Sequence, residues 1–346
     1  MRKYPFTLKL GLLLMLPIVL MSCRKEVPKP QVPQDYVITI QNEFTTPPAK
    51  VSVFFKVETE KGDPVPGLLE DNFIIYEKGR NDEARKEISE FEAERRISDN
   101  DQIFGYSTIL LLDLSGSVTS SSLNELKEAS KSFVDAIMPP GASESYYMGI
   151  WWFDGEDKLH ELVPFTTNTT DLKNGIDSVT PNISSDNSTD LYGAIIKGSQ
   201  IATDELATNQ QKGILAASSV VVFTDGTDQA GRYAKSAALS AIDSENPDMS
   251  YFSIGLGSEI DEEVLRSVGV NGFAFAEDNT KLIEKFQEIA GLVSAEANSY
   301  YLFEYCSPKR DGSGTSELSI RAFKGQQAGE ETTTFNATGF TGGCTL

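Results

Sequence analysis

The chain has 346 residues, 40% of them hydrophobic and 23% charged, and carries a formal charge of −21. That length supports two modest domains or one large one, and the composition is that of a folded protein. So acidic a chain lacks the clustered Lys and Arg that phosphate binding needs, which excludes nucleic acid as a partner, and its own side chains are poorly suited to an anionic lipid surface.

The first segment reads as an export signal. Arg2, Lys3 and Lys9 precede an apolar run from Leu10 to Met21, which is signal-peptide length and too short to span a bilayer. The run closes on "LMSC", residues 20–23, which resembles the lipobox of bacterial lipoproteins. The resemblance implies removal of residues 1–22 and acylation of the Cys23 thiol. Several acyl chains on one residue make a stable membrane anchor, placing the protein on the bacterial cell envelope, at the outer membrane or cell surface. The plainer alternative is an ordinary signal peptide with a chance cysteine. Cleavage before Cys23 leaves 27 basic against 51 acidic residues, a net charge of −24. Residues 23–35 follow, with Pro28, Pro30 and Pro33 and no apolar cluster, and read as a stiff extended tether.

Residues 36–100 are β-rich. Val51, Val53 and Phe55 alternate with their neighbours before a turn at Gly62, Asp63 and Pro64, and Phe73 to Tyr76 read as another strand. This is the content of three to five strands, too little for a free-standing core.

From 101 to 297 the pattern changes. "STILLLDL", "SSVVVFTD", "YFSIGLG" and "GFAFAED" read as buried strands, and "YYMGIWWFD" with "KLHELVPF" as a hairpin around Gly155. Amphipathic helices separate them. The first carries Leu123, Leu126, Ala129 and Phe133 on one face. Trp151 and Trp152 are expected on opposite faces of one strand. Six strands of this kind predict a doubly wound, mostly parallel sheet with helices on both sides, an α/β fold. Residues 298–346 return to strand chemistry in "SYYLFEYCSP", "SELSIRAF" and "ETTTFNATGF". The two β-rich ends are expected to pack together as a sandwich into which the α/β unit is inserted. Cys306 and Cys344 are the remaining cysteines; in an exported protein they are expected to pair, the alternative being two buried free thiols.

Three stretches stand out. "DLSGS" holds Asp113, Ser115 and Ser117; "NSTDLYGA" holds Thr189 at a helix start; "VVFTDGTD" holds Asp225 at a strand end. In a parallel α/β sheet, strand C-termini and helix N-termini share one edge, and ligands bind there where strand order reverses. Two carboxylates and three hydroxyls make an oxygen set for a hard divalent cation, Mg²⁺ or Mn²⁺, with Ca²⁺ also compatible. Gly116 is expected to let the loop turn tightly between the serines. Taken singly, each piece could be a helix N-cap. The loop "SSDNS" (184–188) is expected to flank the site, and "FDGED" (Asp154, Glu156, Asp157) to form a solvated turn beside it.

Together these residues resemble the metal-ion-dependent adhesion site (MIDAS) of von Willebrand factor A (VWA) domains, the fold of integrin I domains. The resemblance covers about 195 residues and includes a D-x-S-x-S loop, a distant Thr and a distant Asp in T-D-G, in that order. It implies Ser115, Ser117 and Thr189 as direct ligands, and Asp113 and Asp225 as ligands mainly through water or hydrogen bonds. It also implies that an Asp or Glu of a protein partner completes the metal's coordination.

No nucleophile elbow, P-loop or zinc-protease motif occurs, and His160 is the only histidine, in an expected edge strand. The reading is therefore a non-enzymatic, membrane-anchored protein that binds a protein partner through a divalent metal. The alternative is a structural envelope lipoprotein that keeps the scaffold without using the metal.

Overall fold

The computed structural model describes residues 35–98, 104–138, 145–242, 246–309 and 314–346. The signal segment, Cys23 and the tether to residue 34 lie outside the described residues. Among the described residues no helix is long and apolar enough to cross a membrane.

The chain opens with five strands: β1 (Tyr36–Thr46), β2 (Lys50–Thr59), β3 (Phe73–Lys78), β4 (Lys86–Ile88) and β5 (Arg95–Ile97). It continues through β6 (Phe104–Asp113), α1 (Gly116–Ser121), α2 (Leu123–Ile137), β7 (Tyr146–Phe153), β8 (His160–Thr166), α3 (Thr169–Ser178) and α4 (Leu191–Gln211). Then follow β9 (Leu215–Thr224), α5 (Lys235–Ala241), β10 (Met249–Leu256), α6 (Glu262–Val268), β11 (Gly272–Ala276) and α7 (Leu282–Ala297). Three strands close the chain: β12 (Tyr300–Cys306), β13 (Thr315–Lys324) and β14 (Gln327–Asn336).

The six-stranded sheet has the order β11-β10-β9-β6-β7-β8. All neighbours are parallel except β7 and β8, the hairpin at one edge. Strand β6 is central, and every residue from Phe104 to Asp113 is buried, which is why its sequence is apolar on both faces. Leu110, Leu112 and Trp152 face a core shared with α2, α3 and α7. Ile109, Leu111 and Trp151 face the core under α4, α5 and α6. The adjacent tryptophans thus pack on opposite sides, following the two-residue period of a strand.

From β6 the chain crosses to β7 on one side, and after the hairpin it returns to β9 on the other. The reversal of strand order therefore falls between β6 and β9, whose ends carry Asp113 and Thr224.

The remaining strands form two four-stranded sheets, β1-β2-β12-β5 and β14-β13-β3-β4. Each combines strands from before and after the α/β unit. Their facing side chains, among them Phe55, Phe73, Phe303 and Ile320, form a third core. Cys306 and Cys344 are joined by a disulfide at the edge of this sandwich. Sandwich and α/β unit meet through aromatic packing: Phe54 lies 5.0 Å from Phe104, and Tyr300 5.4 Å from Phe104, between ring centres. A buried ion pair, Lys56 on β2 with Glu296 on α7, spans the same junction.

Candidate metal centre

Strand β6 delivers Asp113 to the sheet edge with its carboxylate buried. Oδ1 accepts a hydrogen bond from the Ser115 amide (2.9 Å) and Oδ2 from the Thr224 hydroxyl (2.7 Å). The first aspartate is thereby clamped to the end of β9, and its orientation is set by both strands. Ser115 begins α1, yet its side chain accepts no hydrogen bond from the helix, so the hydroxyl is not spent on capping. It lies 3.3 Å from the Ser117 hydroxyl, which donates to Asp225 Oδ1 at 2.9 Å.

Thr189 approaches from the third side. It is buried, and its carbonyl accepts from the Gln229 and Ala230 amides (2.9 and 3.1 Å), just beyond Asp225. Two residues earlier, the Asn187 carbonyl accepts from the Gly116 amide at 3.1 Å. The Thr189 turn is thus stitched to the Ser115–Ser117 loop on one side and to the Asp225 loop on the other. The cap of α4 is the neighbouring Asp190, whose side chain accepts from the Gly193 amide, so Thr189 is not used as that cap.

The reason for Gly116 differs from the expected one. It adopts no left-handed conformation. A Cβ at this position would stand 2.8 Å from Asn187 Cβ, so glycine is required for close approach of the 184–188 loop. The "FDGED" turn also differs. Asp154 is buried: Oδ1 accepts from the Glu156 amide, and Oδ2 from the Ser184 hydroxyl and the Ser185 and Asp186 amides. Its carboxylate fastens the hairpin to the loop that precedes Thr189. Donors from residues 184–186 make Asp154 a buried anchor, while Glu156 and Asp157 keep the solvated character expected of the turn.

Both aspartates at the centre titrate high. Burial pushes Asp113 up to about 7, against the hydrogen bonds from Thr224 and Ser115, and Asp225 adds repulsion. Burial likewise raises Asp225, opposed by the Ser117 hydrogen bond and aided by Glu259. Among the described residues no Lys or Arg forms an ion pair with either aspartate. The site concentrates negative charge without an internal counterion, an arrangement that a bound cation relieves.

The donor set fits such a cation. Neighbouring ligands of an octahedral ion at about 2.1 Å stand about 3 Å apart. The Ser115–Ser117 and Ser117–Asp225 oxygen separations are 3.3 and 2.9 Å. Ser117 and Asp225 also border an open cleft of roughly 360 Å³ that Glu259, Asp278 and Asn279 help to line, leaving one side of the centre accessible.

A second group escaped sequence reasoning. The ligand atoms of Asp154, Glu156 and His160 lie within 4.8 Å of one another. The sequence signal is D-x-E-x-x-x-H across one hairpin. Here, however, Asp154 is fully hydrogen-bonded, and the His160 ring stacks on Trp152 at 3.9 Å. Burial holds the imidazole below its ordinary range. The group is accounted for as a hairpin staple.

Several solved structures are similar to this chain. BatB from Bacteroides thetaiotaomicron is 20% identical; the match covers 56% of this chain and 99% of that one, with a TM-score of 0.44. The vWF domain of the type V pili tip protein Mfa5 from Porphyromonas gingivalis is 14% identical over 55% of this chain and 95% of that one, with a TM-score of 0.43. Proximal thread matrix protein 1 of the mussel byssus, with a zinc-occupied MIDAS motif, is 15% identical over 61% and 49% of the two chains, with a TM-score of 0.41. No match was found among curated proteins. The family model for the von Willebrand factor type A domain matches residues 109–289, more than half of the chain and the span that contains all five centre residues. The chain belongs to the von Willebrand factor type A domain family.

Proposed function

We propose that this protein binds a protein partner through a divalent cation held by Ser115, Ser117 and Thr189, with Asp113 and Asp225 behind them. The observation that carries the reading is the run of oxygens from Ser115 through Ser117 to Asp225, spaced like adjacent ligands and lacking an internal counterion. Three neutral hydroxyls leave the cation electrophilic, so an Asp or Glu of the partner completes its coordination from the open side. Mg²⁺ or Mn²⁺ suits this oxygen set, and Ca²⁺ can also be accommodated. VWA domains commonly mediate protein–protein interaction. The "LMSC" motif supports an acyl anchor at Cys23 and a place on the bacterial cell envelope, at the outer membrane or cell surface. The role in this reading is adhesion or assembly, which the all-oxygen character of the centre supports.

The test is cross-linking on intact cells with Mn²⁺ or with EDTA, followed by identification of the captured protein. Capture should depend on metal and be lost in Ser117→Ala. Capture that ignores both EDTA and the substitution points instead to a structural envelope protein that does not use the metal.

A further inference from the structure

The turn after Asp225 opens onto a second recess, which shares no lining residue with the cleft beside Ser117. Its volume is roughly 120 Å³. That equals about four waters of liquid and falls well below the roughly 300–1,000 Å³ of small-molecule sites, so the recess is the size of one side chain. Leu191 on α4, with Val264 and Leu265 on α6, forms a buried apolar wall. Tyr192, Asp228 and Asp261 supply the polar groups. Among the described residues no Lys or Arg lines it.

Both carboxylates keep room for a further donor. Asp228 accepts one amide on each oxygen, from Tyr192 and from Gly231, both at 3.1 Å. Asp261 accepts the Glu263 and Val264 amides on Oδ1 alone, at 3.0 and 3.2 Å. A carboxylate offers about four acceptor positions, so each is half used. Burial first, and then the charges of Asp228 and Asp261, raise the Tyr192 phenol, so both carboxylates act on the same hydroxyl. An apolar wall beneath two acids suits a side chain with an aliphatic stem and a cationic head.

The recess adjoins the candidate metal centre. Asp228 follows Asp225 by three residues and Leu191 follows Thr189 by two, so at most about 11 Å of backbone separates it from either. A partner carboxylate that approaches this edge meets an acidic chain, and a base beside it offsets that repulsion. We propose that the recess takes a Lys or Arg side chain of the same partner whose Asp or Glu completes the metal's coordination. The partner is then recognised by an acid and a base close together on one segment. This inference rests on the metal-dependent reading given above.

The test is peptide display on the full chain. Random short peptides with one fixed Asp are bound in Mn²⁺ and eluted with EDTA, and Mn²⁺ binding is measured separately by calorimetry. Lys and Arg should be enriched about tenfold within about three residues of the fixed Asp. The enrichment should vanish when Asp228→Asn and Asp261→Asn are combined, since both keep an oxygen for the backbone amides and lose the charge. The Mn²⁺ isotherm of that variant should match the unaltered chain's. Glu263→Gln, which removes an exposed acid outside the recess, should leave the enrichment in place. Metal-dependent retention with no basic neighbour enriched, with apolar residues enriched instead, or with the preference unchanged in the double variant overturns the proposal while the metal-dependent reading stands. Absence of Mn²⁺ binding by the unaltered chain overturns that reading, and the role of the recess with it.

Discussion

Glu304 offers a measurement of how firmly the sandwich is closed around the inserted unit. It lies on β12, paired in register with Ser52 on β2 and Arg96 on β5. Its carboxylate accepts from Lys50 (2.8 Å), Ser52 (3.0 Å), Arg96 (3.0 and 2.7 Å) and Ser98. Burial alone raises such a group, but these donors reverse the effect and hold it at about 2. Against an ordinary glutamate near 4.3, the gap corresponds to about 3 kcal/mol. Because the folded value is the lower one, this stabilisation is complete above about pH 5 and is lost as pH falls from about 4.3 to about 2. Glu304→Gln keeps the shape and removes the charge, leaving Lys50 and Arg96 facing a neutral amide. Urea titrations of the two chains from pH 7 to pH 2 should be followed by hydrogen exchange of β2 and β12, since two bodies need not unfold as one. The variant should be less stable by about 1–3 kcal/mol at pH 7, and the difference should close towards pH 2. A difference that is absent at pH 7, or equal at pH 7 and pH 3, refutes the electrostatic account of this cluster.

At the candidate metal centre, Asp225→Ala should remove Mn²⁺ binding in calorimetry while leaving the circular dichroism spectrum unchanged; an unaltered isotherm counts against the centre. Gly116→Ala places a Cβ 2.8 Å from Asn187 and so displaces the loop leading to Thr189. Mn²⁺ affinity should fall about tenfold, or about 1.4 kcal/mol, and equal affinity would show that the loops are not coupled. Reduction of Cys306–Cys344, which are 38 residues apart, should destabilise the sandwich by about 4 kcal/mol on loop entropy, read as a lower urea midpoint for β12 exchange and little change for β6. Identical midpoints before and after reduction contradict that estimate.

The α/β architecture was legible because its strands are buried on both faces. "STILLLDL" and "SSVVVFTD" have no polar alternation to hide their place at the sheet centre, and Trp151 and Trp152 differ only in which core each enters. The centre was legible because its residues terminate recognisable elements: Ser115 and Ser117 open α1, and Asp225 follows β9. What the sequence concealed depends on partners distant along the chain. Asp154 is buried by donors from residues 184–186, and Gly116 is dictated by Asn187. Glu304 and Glu77 are acidic residues within apolar strands, but one is held low by Lys50, Ser98, Arg96 and Ser52, and in the other burial outweighs the nearby hydroxyls of Ser307 and Tyr305. Only the assembled sandwich distinguishes them.

The course of β6 has a mechanical consequence. Its ten residues span about 30 Å. One end packs at Phe104 against Phe54 and Tyr300 of the sandwich, and the other carries Asp113. Both of its neighbours, β7 and β9, run parallel to it along nearly its whole length. Tension applied at the Asp113 end along the strand axis therefore loads two hydrogen-bond ladders in shear. Their bonds must yield together and not one after another. A protein built this way holds the edge that carries Asp113 at the far end of a strand braced on both sides.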